Sequence, residues 1–224
     1  MALDAVPRPS WIREAGIDPA PARSSSAWAD FLRSQADVLL ACGFLETVTL
    51  SGVRLHVCAV IEHAGRWIRI LGATGYPTAM RVTQAAKNLV MDLEDAGCRA
   101  RFLIRGRDGM YPALFDTVLN GAGIEVVLSG VRMPRRNSIV ERRVQTCRRQ
   151  LLDRTSVWHQ RHLLHALRQF EGFYNSYRPH QGIADARPLD PLPPGIADPD
   201  KTAHLDIRRC DRLGGLLHEY QHAA

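Results

Sequence analysis

The sequence lacks a membrane-spanning segment. No stretch reaches the roughly eighteen consecutive apolar residues that cross a bilayer, and residues 1 to 30 hold no hydrophobic run. Membrane insertion and secretion are not expected; a cytoplasmic location is. Paired cysteines are missing as well. Cys42, Cys58, Cys98, Cys147 and Cys210 are odd in number and scattered, with no short spacing of a zinc knuckle or redox motif. They fit packed, reduced thiols. There is no glycine-rich phosphate loop and no recognisable Ser/His/Asp arrangement. What remains is an ordinary globular composition, 46% apolar and 23% charged over 224 residues, enough for one core with a small appendage. A formal charge of +6 and a pI near 9.4 lean towards a polyanionic partner.

Residues 1–26, rich in Pro, Ala, Arg and Ser, read as a linker with at most a helical turn around Trp11 to Ala15. Helical spacing follows over Ala27 to Gln35. Three strand-like runs come next, Val38 to Thr49, Val53 to Ile61 and Trp67 to Leu71. Ser51-Gly52 and Ala64-Gly65 supply turns for an antiparallel meander. Pro77 opens a helix that Gly97 ends. Then come a strand at Arg101 to Ile104, a helix at Pro112 to Leu119 and a strand at Ile124 to Leu128. Two long helices complete the core, one after Pro134 and one from about His159 to Tyr177. This order predicts a mixed sheet with helices on its faces. Domain boundaries are expected at 27–186 for the core and 187–224 for a Pro-rich extended segment and a helical tail from His204.

The stretch Pro134 to Arg154 carries the chemistry. Its helix sets one carboxylate, Glu141, among seven arginines between Arg132 and Arg149. Val140, Val144, Cys147 and Leu151 form a core-facing stripe. Arg135, Arg136, Arg142, Arg143, Arg148 and Arg149 are the candidate phosphate contacts, or else a solvated face. Glu141 is either an intrahelical partner of Arg142, Gln145 or its arginine neighbours, or a metal-binding carboxylate. Gly43, inside an apolar strand, marks either a bulge or a close approach. His159, His162 and His165 are spread around their helix and make a poor metal cage. Tyr174 and Tyr177 extend an apolar stripe, and Asn175, Arg178 and His180 are expected to fasten the turn that follows.

Several stretches together resemble the integrase catalytic core of bacterial insertion-sequence transposases, the D, D, E type shared with retroviral integrases. Pro134-Arg135-Arg136-Asn137 with Glu141-Arg142 resembles the P-x-x-N-x-x-x-E-R segment that supplies the last acid. Phe173-Tyr174-Asn175 with Arg178-Pro179-His180 is similar to the Y-N-x-x-R-P-H signature after it. Cys42 to Glu62 resembles the first hairpin, and Arg101 to Arg105 the strand that ends at the second aspartate. The resemblance implies a ribonuclease H-like α/β fold with a five-stranded mixed sheet. It also implies two Mg²⁺ ions, about 3.5–4 Å apart, held by three carboxylates for in-line attack on a phosphodiester. A helix-turn-helix region precedes the core in such relatives, so Trp11 to Arg23 would be the linker after it.

The departures are specific. Where the family carries its first aspartate, in A-C-D-F-F, this chain has Ala41-Cys42-Gly43-Phe44-Leu45. Where it carries the second, in R-D-R-D-A-K-F, this chain has Arg105-Gly106-Arg107-Asp108-Gly109-Met110-Tyr111. Only Glu141 matches, and one carboxylate is not expected to hold the Mg²⁺ pair. Glu46 lies three residues beyond Gly43, so strand alternation turns it to the opposite face. Asp108 is the candidate substitute, if its loop swings it back. The expectation is therefore an integrase-core protein of the DNA integration and transposition class. It would be catalytically inactive, bind DNA non-specifically, and associate as a homo-oligomer. Two alternatives stand beside it: an enzyme still active through Asp108 and Glu141, and a non-catalytic binding module on the same fold.

Overall fold

A computed structural model describes residues 23–129, 138–189 and 206–222. Two compact units divide the chain, residues 1–35 and 36–224. In the first, helix α1 (Arg23–Ser34) carries an exposed Arg33–Asp30 ion pair one turn apart. The turn expected at Trp11 to Ala15 lies outside the described residues.

The second unit holds a five-stranded sheet of β1 (Leu39–Val48), β2 (Arg54–Glu62), β3 (Ile68–Thr74), β4 (Phe102–Arg105) and β5 (Glu125–Leu128). The spatial order is β3-β2-β1-β4-β5. The β1–β2 and β2–β3 pairs are antiparallel, and the β1–β4 and β4–β5 pairs are parallel. This is the mixed sheet anticipated from the order of elements, with the five strands that the resemblance implied.

Strand alternation divides the core between two faces. Leu40, Cys42, Cys58, Val60 and Leu103 point to the side covered by α2 (Ala79–Asp95) and α3 (Ala113–Gly121). There they meet Val82, Ala86, Leu89 and Leu93 of α2 and Phe115 and Leu119 of α3. Helix α2 starts where the Thr78 hydroxyl accepts from the Arg81 N–H, and it stops before Gly97, whose φ of 64° suits a residue without Cβ. The opposite face is covered by α4 (Ser138–Gln150) and α5 (Gln160–Ser176). Val140, Cys147, Leu163, Leu167, Phe170 and Tyr174 are buried on it.

The outer edge of β3 is closed by side chains of α5. The Asn175 amide accepts from the Ile68 N–H and donates to the Ile68 carbonyl, both at 2.9 Å, as a paired strand would. The Glu171 carboxylate accepts from the Ile70 N–H at 3.1 Å. An edge satisfied in this way cannot recruit a foreign strand. Asn175 therefore pins a distant strand, rather than the turn after its own helix.

The tail corrects the expectation of a helix. It forms a hairpin of β6 (Ile207–Arg212) and β7 (Leu217–His222). Gly214 and Gly215, which read as interruptions of a helix, make the turn with φ of 66° and 88°. In β7 the buried Leu217 and Glu219 alternate with His218 and Tyr220 on the exposed side. Glu219 is held by Arg212 across the hairpin. The Pro-rich segment expected over Arg187 to Asp200 is described only as far as Leu189. No helix among the described residues is long and apolar enough to cross a membrane.

Candidate functional site

The candidate site lies on the sheet face beneath α4. Cys42 pairs with Arg105 at the end of β4, so Gly43 is the next residue of β1 and Gly106 the first residue past β4. Gly43 projects to the α4 face. Cys42 and Arg105 project to the other, where Arg105 makes a twofold contact with Asp116 of α3, with hydrogen bonds of 2.5 and 2.8 Å.

Gly43 is a close approach and not a bulge. The β1–β2 register runs unbroken through Gly43↔Ala59, and the irregularity falls between β2 and β3 at Cys58/Ala59. A Cβ built on Gly43 would stand 2.5 Å from Val140 Cγ1, well inside contact distance. Val140 is buried and β-branched on a helix, where its χ1 has little freedom to yield. Gly106 differs, since a Cβ there would meet only the Asp108 backbone nitrogen at 3.9 Å.

The two candidate acids, Glu141 and Asp108, differ in what holds them. Glu141 is exposed and makes no hydrogen bond or ion pair to another described residue, so the pairing considered with Arg142 or Gln145 is not formed. The Asp108 carboxylate accepts from the Met110 N–H at 3.0 Å, and its carbonyl accepts from the Tyr111 N–H. It fastens the turn after β4 instead of reaching back across the strand ends. Glu46 faces away, as strand alternation requires, and meets His56 and Arg54 on β2. Among the described residues no group of three His, Cys, Asp or Glu side chains is placed to hold a metal ion. Mg²⁺ favours several hard oxygen ligands in strict geometry, and the residues present do not fit a pair of such ions.

The candidate arginines divide by environment. Arg135 and Arg136 lie outside the described residues. Arg142 and Arg149 are exposed. Arg148 donates to the Glu46 carbonyl at 2.5 Å and ties α4 to β1. Arg143 is half-buried with its guanidinium 5.5 Å from the Tyr174 ring centre, and it touches His180 Nδ1 at 3.5 Å. Arg178 lies over the same ring at 5.6 Å and bonds the Gln150 side chain. His180 is buried against Tyr174, and its backbone N–H closes a turn to the Ala186 carbonyl.

Two features were not legible in the sequence. One is the Arg105–Asp116 pair, roofed by the Tyr111 ring 4.8 Å from the guanidinium. The other is the approach of the Cys42 and Cys58 thiols to 3.7 Å, with the Tyr111 hydroxyl donating to Cys42 Sγ. In each case the partners come from separate elements and no local spacing announces them.

Residues 122–188 match the family model described as the integrase core domain. The matched stretch includes Glu141 and Arg178-Pro179-His180 but neither Gly43 nor Gly106. No curated protein matches the chain. Among solved structures, a chain of the simian T-cell lymphotropic virus intasome is similar at TM-score 0.51 and 12% identity over 82% of this chain. The similarity covers 66% of that viral chain, slightly less than two thirds of its length. The magnesium-bound catalytic core of HTLV-2 integrase in its dimeric form matches at 0.50 and 10% identity, over 66% of this chain and 92% of that one. The catalytic domain of Mos1 mariner transposase matches at 0.50 and 11% identity, over 67% and 79%. With the strand order β3-β2-β1-β4-β5, these likenesses show a ribonuclease H-like fold similar to that of integrase and transposase catalytic cores, and the segment around Glu141 is similar to the integrase core domain.

Proposed function

We propose that this chain is a DNA-binding protein of the integration and transposition class that neither cuts nor joins DNA. One observation carries this reading. The place of the first family carboxylate is a glycine, and the space its side chain would enter is filled by Val140 Cγ1, 2.5 Å from the Cβ position. A carboxylate at residue 43 would have to displace Val140. The absence of an acid at Gly106 and the engagement of Asp108 with Met110 support the same reading. They weigh against an active site rebuilt from Asp108 and Glu141.

The charge of +6 and the exposed Arg142 and Arg149 support non-specific binding to the DNA backbone, with Arg135 and Arg136 as further candidates. The dimeric form of the HTLV-2 integrase core supports self-association as the assembly to test. A cytoplasmic location is supported by scattered cysteines that form no disulfide among the described residues.

The test is nicking of short duplex DNA in Mg²⁺ or Mn²⁺. The parent chain is expected to cut no faster than its Glu141→Gln variant. Cutting that Glu141→Gln abolishes would overturn the proposal. DNA binding is read separately by titration at two salt concentrations. The logarithm of the affinity should fall by about 0.9 per decade of salt for each phosphate contact.

A further inference from the structure

Behind α4, away from the glycines, a cleft of about 660 Å³ is walled by three elements. Arg66 enters from the β2–β3 turn beside His63, Arg142 and Arg143 come from α4, and Arg178 and His180 follow α5. Among the described residues four arginines line it and no acid does. The nearby Glu62 carboxylate is occupied with the Gly65 N–H at 2.9 Å. Such a gathering of like charge is unfavourable unless something negative enters it.

The cleft is built rather than a chance meeting of surface side chains. Arg143 and Arg178 are both fixed over the buried Tyr174 ring. Arg66 is held at a φ of 68°, a left-handed backbone that a branched or long side chain rarely adopts. His180 is 95% buried, at 5% exposure, and its Nε2 completes no hydrogen bond. His180 Nδ1 lies 3.5 Å from the Arg143 guanidinium. The Nε of Arg66 and of Arg143 are likewise buried without an acceptor. Three buried nitrogens of residues lining the cleft are thus without a partner among the described residues. Unsatisfied buried donors are costly, which makes a missing acceptor the economical explanation.

The chemistry selects the acceptor. A metal cation is repelled, and an apolar ligand satisfies no donor. A phosphate group offers several strong acceptor oxygens and at least one negative charge, matched to forked guanidinium donors. We propose that this cleft is an oxyanion pocket that binds a phosphate group, supplied either by the DNA backbone or by a free polyphosphate. The DNA form of the proposal rests on the DNA-binding reading above, whereas the pocket itself does not.

Two probes separate the sources, inorganic pyrophosphate and a mixed-sequence DNA duplex, each at ionic strength matched with KCl. Pyrophosphate is expected to raise the melting temperature of the parent. Arg66→Gln and His180→Gln should weaken its binding at least about tenfold, with Arg99→Gln, at an exposed arginine outside the cleft, unchanged. A parallel loss of duplex affinity in Arg66→Gln identifies the DNA backbone as the source; pyrophosphate loss with duplex affinity intact identifies a free polyphosphate. Pyrophosphate should also shield Arg66 and Arg143 of the parent from phenylglyoxal, read by mass spectrometry, which needs no variant to fold. Absence of both the melting shift and the shielding overturns the pocket, as does an equal pyrophosphate affinity in Arg66→Gln. Pyrophosphate binding by a chain that binds no DNA keeps the pocket and removes the DNA-binding reading. Duplex binding without pyrophosphate shielding does the reverse.

Discussion

The contact between Gly43 and Val140 can be tested by a double-mutant cycle. Placing a methyl at residue 43 puts a carbon 2.5 Å from Val140 Cγ1, so Gly43→Ala overpacks the interface between β1 and α4. Overpacking of this kind costs about 1–3 kcal/mol. Removing a strand glycine returns roughly 0.5–1 kcal/mol, which leaves a net loss of about 0.5–2. Val140→Ala deletes two buried carbons at about 0.8 kcal/mol each, plus a cavity contribution, for a loss of about 2. In the double variant the new methyl occupies part of the space vacated by the valine. Its loss should therefore fall short of the sum by about 1 kcal/mol or more. Urea unfolding monitored by circular dichroism, with unchanged m-values, measures all four corners. Additivity within about 0.5 kcal/mol would refute the close approach, and with it the main support for an erased metal ligand.

Further predictions concern restoration, pH and a buried ion pair. Gly43→Asp with Gly106→Asp should lower the apo melting temperature, through the Val140 clash and carboxylate repulsion, and adding Val140→Ala should recover part of it; a higher melting temperature in the first variant contradicts the geometry. The His180 imidazole is held down to about 4, first by burial and then by Arg143, with a partial offset from the Tyr174 backbone. Because the unfolded chain binds that proton near pH 6.5 and the folded one does not, stability should fall as pH drops from 6.5 to 4, by up to about 3 kcal/mol. His180→Gln should flatten that slope in denaturation at stepped pH, and an unchanged slope would exclude the histidine. Asp116→Asn strands the Arg105 guanidinium and should cost about 2–3 kcal/mol, less than a fully buried pair because Asp116 is partly exposed. A loss below about 1 kcal/mol by urea titration would show the pair to be solvated.

The periodicities of β1 to β5 and of the four helices around them could be read directly, because each element alternates or repeats on its own local spacing. Val140, Cys147 and Leu151 face the core as their stripe required. The tail was misread because Leu217 and Glu219 are buried at a spacing of two, and Gly214-Gly215 can end a helix or turn a hairpin equally well. Local sequence does not choose between those outcomes; the pairing of Arg212 with Glu219 and the contact with α5 do.

By itself the sequence determined the class of fold, the glycines at positions 43 and 106, and the single acid Glu141 among arginines. Those are matters of residue identity and period. Tertiary structure decided what the glycines mean and which arginines are free. Val140 fills the space above Gly43, Asp108 is spent on its own turn, Arg148 ties helix to strand, and Arg66, Arg143, Arg178 and His180 meet around one cleft. Each of these depends on contacts between elements far apart in the chain, and chain spacing carries no record of them.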